Sequence, residues 1–245
     1  MPEPDARPAF YAARPGSRWR EWWTLLHPPY TAWHLSYVVI GASLAPGGDL
    51  APLFGALGAF FLAVGIGAHA LDELQGRPLG TSISSRALVA VAVLSLLGAV
   101  ALGIVGVVEL GLVLVPFIAA GTLLALAYNL ELWQGRLHND ATFALGWGSF
   151  PLLAAYVAEA RSVSLAAVLA AAAAFFLSAA QRVLSTRARH LRRSVQSAQG
   201  RVVARSGEVE EVDTAYLLAP LERALVLLSW FVVLAAAGLA VSRFG

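Results

Sequence analysis

The chain has 245 residues, of which 58% are hydrophobic and 13% charged, and its mean hydropathy is +0.70. A soluble domain carries about 25% charged residues, so the composition excludes an ordinary soluble protein and predicts an all-α integral membrane protein of one domain. The lack of cysteine excludes disulfides and thiolate metal sites. All 17 Lys and Arg residues are arginine, which excludes lysine Schiff-base chemistry. With a net charge of only +2, we expect no nucleic-acid partner.

Residues 1–29 are predicted to form a cytosolic tail followed by an interfacial helix. Met1 to Ser17 is polar and rich in proline, which indicates a loose tail. Arg18 to Leu26 then places tryptophan or leucine at the i, i+3, i+4 and i+7 positions of a helix. Because tryptophan favours the lipid headgroup level, this helix is predicted to lie in the membrane interface.

Residues 30–245 are predicted to form a single transmembrane helical domain of seven spans, with a cytosolic loop over about 186–214. Seven apolar runs approach the ~20 residues that cross a bilayer core. Glycine and alanine are frequent in these runs, and small residues let membrane helices pack closely. The seven runs are Tyr30 to Ala45, Ala51 to Ala70, Ala87 to Val107, Leu110 to Tyr128, Ala141 to Val157, Ser164 to Leu184 and Tyr216 to Val241.

The arginines predict the orientation. With the N-terminus in the cytosol, 15 of the 17 arginines fall on the cytosolic side, and Arg161 and Arg243 alone fall outside. Positive charge is retained on the cytosolic side of membrane proteins. We therefore expect a multi-pass protein of a bacterial or archaeal plasma membrane with a cytosolic N-terminus and an external C-terminus.

Three longer polar segments then face the cytosol: His69 to Thr81, Asn129 to Asp140 and Gln181 to Asp213. The first places a histidine, two carboxylates and an arginine at a membrane boundary. Ionisable groups are costly there unless they face a cavity or a partner, so a functional site is favoured over ordinary helix-end charge. The part of the third segment from Gly200 to Asp213 is predicted to be a solvated loop.

The order of these features resembles the UbiA superfamily of intramembrane prenyltransferases. A polar motif follows the second apolar run, a loop from Tyr128-Asn129 to Arg136 follows the fourth, and a fifth run contains Gly146, Gly148 and Pro151. A polar break at Gln181-Arg182 ends the sixth run. The resemblance covers roughly residues 20 to 195 and implies a UbiA-like bundle, here of about seven helices rather than nine. A bundle without the last two helices is expected to have a wider lateral opening or to form an oligomer.

The resemblance also implies where the chemistry occurs. Family members use carboxylates four residues apart in two facing motifs to hold Mg²⁺ against an isoprenoid diphosphate. In this chain the first motif aligns as Ala68, Asp72 and Gly76, and the second as Gln181, Ser185 and Arg189, so one aspartate is kept. Asp72 is the expected metal ligand, and Mg²⁺ is the expected cofactor in a weakened site.

Two interpretations of the arginine-rich second motif remain open. Arginine binds phosphate bidentately and can take over charge that a metal supplies in the family. Alternatively, the arginine run holds topology and contacts anionic lipid. On the first interpretation the catalytic residues are His69, Asp72 and Glu73, and the substrate or diphosphate ligands are Arg77, Tyr128, Asn129, Arg136, Gln181, Arg182 and Arg189.

The implied function is transfer of an isoprenoid group from a polyprenyl diphosphate to a lipophilic acceptor. The alternative is a non-catalytic lipid-binding or scaffold protein that keeps the fold. In both cases we expect a lipid-lined cavity that opens at the cytosolic polar segments, and a membrane lipid or polyprenyl diphosphate as the partner.

Overall fold

The computed structural model describes residues 7–13 and 17–245, which form eight helices and one β-hairpin. The elements in chain order are α1 Arg18–Leu25, α2 Pro28–Leu44, α3 Leu50–Leu74, α4 Ser85–Leu110, α5 Leu112–Asn129, α6 Asp140–Ala160, α7 Leu165–Arg193, β1 Gln199–Val203, β2 Val209–Asp213 and α8 Thr214–Phe244. A π-helical segment interrupts α3 at Phe61–Ala68, and another interrupts α6 at Leu145–Ser149.

Among the described residues, six helices are long and apolar enough to cross a membrane, namely α3 to α8. This supports a multi-pass, predominantly α-helical membrane protein. The first predicted span, Tyr30 to Ala45, is also helical, but α2 has 17 residues, fewer than the ~20 that span a bilayer core. The seventh crossing therefore stays a prediction.

Polar caps fix where five of the helices begin. The side chains of Asp49, Ser84, Asn139, Ser164 and Asp213 each accept a hydrogen bond from a backbone N–H in the first turn of the following helix. These first-turn N–H groups have no partner within the helix, and a short polar side chain satisfies one of them. Five of the seven apolar runs are thereby delimited by a polar residue at or shortly before their start.

Helix α2 forms the centre of the bundle, packed between α6 and α8. Trp33, Tyr37 and Val38 are fully buried there. Gly41 permits the close approach of α6, because a Cβ atom at this position would lie 2.1 Å from the Leu152 carbonyl oxygen. Small residues at such crossings substitute for the hydrophobic drive that lipid cannot provide.

The N-terminal segment differs from the loose tail predicted from its composition. Residues 1–6 and 14–16 lie outside the described residues, but residues 7–13 pack against the bundle. Ala9 and Ala12 are buried, and the Ala13 N–H donates to the Thr24 hydroxyl over 3.0 Å. The Phe10 and Tyr11 rings pack edge-on against Tyr30. Aromatic burial, which a polar average conceals, holds this segment in place.

The segment from Gly200 to Asp213 is also more ordered than predicted. It forms the antiparallel hairpin β1–β2, in which Arg201 pairs with Glu211 and Val202 with Glu210. Both strands are largely exposed, so the expectation of a solvated segment is right, whereas the expectation of a loop is wrong. The alternation of charged and β-branched residues favours a strand. Helix α7, moreover, extends to Arg193, well into the predicted loop of 186–214.

Candidate functional site

The three predicted polar segments meet at one end of the bundle. Arg182 on α7 forms a 2.9 Å ion pair with Asp140 at the start of α6, and its guanidinium lies 5.0 Å from the Phe143 ring centroid. Asp72 at the end of α3 is within electrostatic range of both Arg189 on α7 and His138 in the middle segment. We call this region the polar mouth and define it by Asp72, Tyr128, Gln181, Arg182 and Arg189.

His69 enters this region directly after the π-helical segment of α3. Its Nδ1 donates to the Gly65 carbonyl oxygen over 3.1 Å, and its ring stacks on His27 with centroids 4.3 Å apart. Such π-helical segments are frequent at functional sites, because they displace side chains from the regular helical register. The second such segment, in α6, leaves the Trp147 carbonyl to accept a 2.8 Å hydrogen bond from His34.

The adjacent carboxylates of Asp72 and Glu73 have different environments. Glu73 is fully buried and accepts bonds of 2.9 Å from the Leu79 N–H, the Thr81 N–H and the Thr81 hydroxyl. A buried carboxylate needs such partners. Glu73 therefore stabilises the loop after α3 through both of its oxygens, whereas the sequence had predicted a role for it in catalysis. Asp72 is half-buried, and its carboxylate makes no hydrogen bond or ion pair with another described residue.

Arg77 is also committed to this loop. Its guanidinium donates to the Ile83 carbonyl over 2.5 Å and to the Ser85 hydroxyl over 2.8 Å. Its backbone adopts a left-handed conformation with φ 55°. These contacts use two of the five N–H donors of its guanidinium, so Arg77 is anchored in the loop and its predicted diphosphate contact stays a prediction.

Tyr128 and Asn129 end α5 beneath the middle polar segment. The Tyr128 ring stacks on His138 and packs against Trp147, with centroid distances of 4.4 and 4.5 Å. His138 donates from Nδ1 to the Tyr128 carbonyl over 3.0 Å. The Asn129 amide donates to Ala125 one turn earlier on its own helix. Tyr128 thus points toward the mouth, whereas the amide of Asn129 is held against α5.

Arg136 belongs to the exposed turns between α5 and α6. Its guanidinium makes no hydrogen bond or ion pair with the part of the chain that the structure describes. Its predicted role as a diphosphate ligand stays a prediction, and Arg182 and Arg189 lie nearer to Asp72 and Tyr128 by the electrostatic contacts they make.

Helix α7 carries a stripe of arginines along the mouth. Arg182 and Arg189 are seven residues apart, two helical turns or about 10 Å, and Arg193 follows one turn later. Arg182 pairs with Asp140, and Arg193 donates to the Pro8 carbonyl. Within the described residues, Arg189 donates only to the Thr186 hydroxyl while Arg182 and Arg193 act on it electrostatically. An arginine without a carboxylate partner beside two like charges favours an anion.

Among the described residues, six buried side-chain polar atoms have no hydrogen-bond partner, and three of them lie at or beside the mouth; the other three, on Ser43, Glu159 and Arg243, lie at the opposite end of the bundle. Those at the mouth include the Tyr128 hydroxyl and Oε1 of Gln181, whose residues are 4% and 1% exposed. A third is Nε2 of His27, the ring that stacks on His69. Because buried polar groups are nearly always hydrogen-bonded, these three atoms indicate a polar ligand or bound water at the mouth.

His27 and Tyr11 were not among the predicted site residues. The Tyr11 hydroxyl hydrogen-bonds Nδ1 of His27, which caps α2 in a left-handed conformation with φ 46°. Burial, together with the nearby His69 and Arg189, lowers the pKa of His27 well below its usual 6.5. Burial likewise raises the pKa of Tyr11. The only sequence signal for His27 was the Pro-Pro that follows it, which indicated a helix start but no contact with His69.

The mouth does not fit a multi-carboxylate metal site. No group of three or more histidines and carboxylates that would hold a metal occurs among residues 7–13 and 17–245. Both oxygens of Glu73 are used by the loop, so Asp72 is the one predicted acidic ligand left to face the mouth. Helix α7 contributes arginines and no carboxylate to this region.

The apolar cavity is lined by residues other than the predicted site residues. It has a volume of about 620 Å³ and lies between α3, α4, α5 and α6. The end of the cavity nearest the polar mouth is lined by Trp147 and Ala125. The Trp147 ring stacks on Phe143 at 5.7 Å and contacts Tyr128. The Trp147 ring therefore lines the cavity and also contacts Tyr128 of the polar mouth, and the expectation that the cavity opens at the mouth stays a prediction.

No protein-family model, no curated protein and no solved structure matches this chain.

Proposed function

We propose that the protein binds a phosphorylated isoprenoid lipid through the polar mouth. The carrying observation is Arg189, which has no carboxylate partner among the described residues and lies within electrostatic range of Asp72 across the mouth. A guanidinium presents a fixed fork of donors that matches phosphate oxygens. The unpartnered Tyr128 hydroxyl and Gln181 amide add uncharged polar groups nearby.

In this proposal α2 is a seventh membrane crossing, the N-terminus is cytosolic, and the fold is a diverged UbiA-like bundle. Arginine charge, rather than metal charge, neutralises the phosphate. Charge-assisted hydrogen bonds are about twice as strong as neutral ones. Binding is therefore expected without added Mg²⁺.

Isoprenoid transfer is the second candidate, and Asp72 is the observation that favours it. Its half-buried carboxylate has no hydrogen-bond partner in the described chain, although such placement at a membrane boundary is costly. In the reaction the allylic C–O bond breaks and the diphosphate keeps the electron pair, held by Arg189 and Arg182. The acceptor's nucleophile bonds to the allylic carbon, and its proton passes to Asp72.

Titration of the purified protein with three probes tests binding: a prenyl diphosphate, the prenyl alcohol of the same chain length, and inorganic diphosphate. We expect the prenyl diphosphate to bind tightest, because it alone presents both an anion and a chain. Equal binding of the alcohol would refute phosphate recognition. Product formation with quinone, aromatic or glycerol-lipid acceptors, lost in Asp72→Asn, would establish transfer; intact binding without product would identify a lipid-binding protein.

A further inference from the structure

The cavity between α3, α4, α5 and α6 is a second feature with no role in the polar mouth. Its walls are almost entirely alanine, glycine, branched aliphatic side chains and phenylalanine. Its charged lining residues are Asp49, Glu109 and Arg161, and all three lie at the helix ends opposite the mouth. The cavity therefore has an apolar interior and one polar end.

Its length matches a lipid chain. Along α3 the lining extends from Asp49 to Val64, about 22 Å at 1.5 Å per residue, or roughly three-quarters of the ~30 Å hydrocarbon core of a bilayer. Its volume is within the range of about 300–1,000 Å³ that is usual for ligand pockets.

The protein does not use this space for its own packing. A Cβ atom on Gly55 would have no atom within 4 Å, whereas one on Gly103, which also lines the cavity, would lie 2.8 Å from Ile118. An unfilled apolar space forfeits dispersion contacts along all of its walls. In a membrane, hydrocarbon restores those contacts.

We propose that this cavity binds one hydrocarbon chain of a membrane lipid, which enters from the end marked by Asp49, Glu109 and Arg161. The charges at this end have both signs, so they complement a zwitterionic head, with its phosphate toward Arg161 and its ammonium toward the carboxylates. The aromatic contacts of Trp147 with Phe143 and Tyr128 close the other end. This ligand is distinct from the one at the polar mouth.

The test uses the full chain in vesicles of phosphatidylethanolamine that carries a photoactivatable group on its acyl chain. After illumination, mass spectrometry maps the labelled peptides. We expect labelling of residues that line the cavity, such as Val100 and Gly121, above that of the lipid-facing surface of α8. Equal labelling of both regions would mean annular lipid only and would overturn the proposal.

Gly55→Leu fills the cavity, and Gly238→Leu on α8 is its matched control, because a Cβ atom at Gly238 also meets nothing within 4 Å and this residue does not line the cavity. We expect Gly55→Leu to lose the labelling of the cavity and Gly238→Leu to keep it. Unchanged labelling in a folded Gly55→Leu protein would overturn the proposal, and the labelling map of the unaltered chain decides the question if that variant does not fold.

A second probe with an isoprenyl chain shows which class of hydrocarbon chain the cavity binds. Labelling of the cavity by either probe supports the proposal, and labelling by neither refutes it. Prenyl diphosphate binding at the mouth, measured on Gly55→Leu, separates the two sites: it is expected to be unchanged.

Discussion

Arg189 provides the sharpest test of the polar mouth, because every other arginine with a described contact there already has a carboxylate or carbonyl partner. Hydrogen bonds to charged groups contribute about 1.5–3 kcal/mol, and about 1.4 kcal/mol corresponds to a tenfold change in Kd. Arg189→Ala is therefore expected to weaken prenyl diphosphate binding by about 10- to 150-fold. The affinity of Arg189→Lys should lie between that of the unaltered protein and that of Arg189→Ala, since lysine keeps the charge but loses the bidentate fork.

Arg187→Ala is the matched control for this measurement. It removes the same charge from the same helix, but Arg187 is exposed and two residues away, which turns it about 200° around the helix axis at ~100° per residue. Calorimetric titration of each variant in detergent, with and without EDTA, gives the dissociation constants. Equal weakening by Arg187→Ala would show that general surface charge, and no defined mouth, attracts the ligand.

EDTA addresses the cofactor in the same titration. We expect its addition to leave Kd nearly unchanged, because Asp72 faces the mouth and α7 carries arginines but no carboxylate. A large loss of affinity in EDTA that magnesium restores would contradict this account and would return Asp72 to the metal-binding role that the resemblance implies.

Three further predictions concern stability, measured as thermal unfolding in detergent. Glu73→Gln should lower stability by about 1–3 kcal/mol, since an amide cannot accept all three loop hydrogen bonds and leaves buried donors unpaired; no loss would refute the structural role. Gly41→Ala should cost about 1–3 kcal/mol by forcing α2 away from Leu152, and unchanged stability would mean that the helices can separate freely. Burial lowers the pKa of His27, so below about pH 6.5 the unfolded chain binds a proton that the folded protein excludes. Stability should therefore fall as the pH drops below that value. In His27→Asn, where asparagine tolerates the left-handed backbone, the dependence of stability on pH should be weaker.

Much of the architecture could be predicted because it depends on local patterns. Each apolar run became helical, and in five of the seven a polar residue at or before the start of the run caps the helix, as at Ser84 and Ser164. The N-terminal segment could not be predicted in this way. Its order depends on Tyr11 reaching His27, a contact 16 residues apart, and a composition average carries no information about such a contact.

The site shows the same division between local and tertiary information. Charge at a membrane boundary correctly indicated that the segments containing Asp72, Asp140 and Arg182 meet. It did not reveal which of two neighbouring carboxylates would face the mouth. That depends on the loop after α3, because the amides of Leu79 and Thr81 reach Glu73 and leave its neighbour without a partner.

The arginines of α7 set the electrostatics of the mouth in a definite direction. Facing carboxylates repel each other and need a cation between them, whereas Asp72 facing Arg189 needs none. Yet these two residues form no ion pair within 4 Å, and Arg189 remains under the influence of two further arginines. The net local charge on this part of α7 is therefore positive, which is the basis of the proposal that the mouth binds an anion. The proposal names a phosphorylated lipid rather than a soluble anion, because the mouth lies at the predicted membrane boundary, where a lipid chain would hold the phosphate.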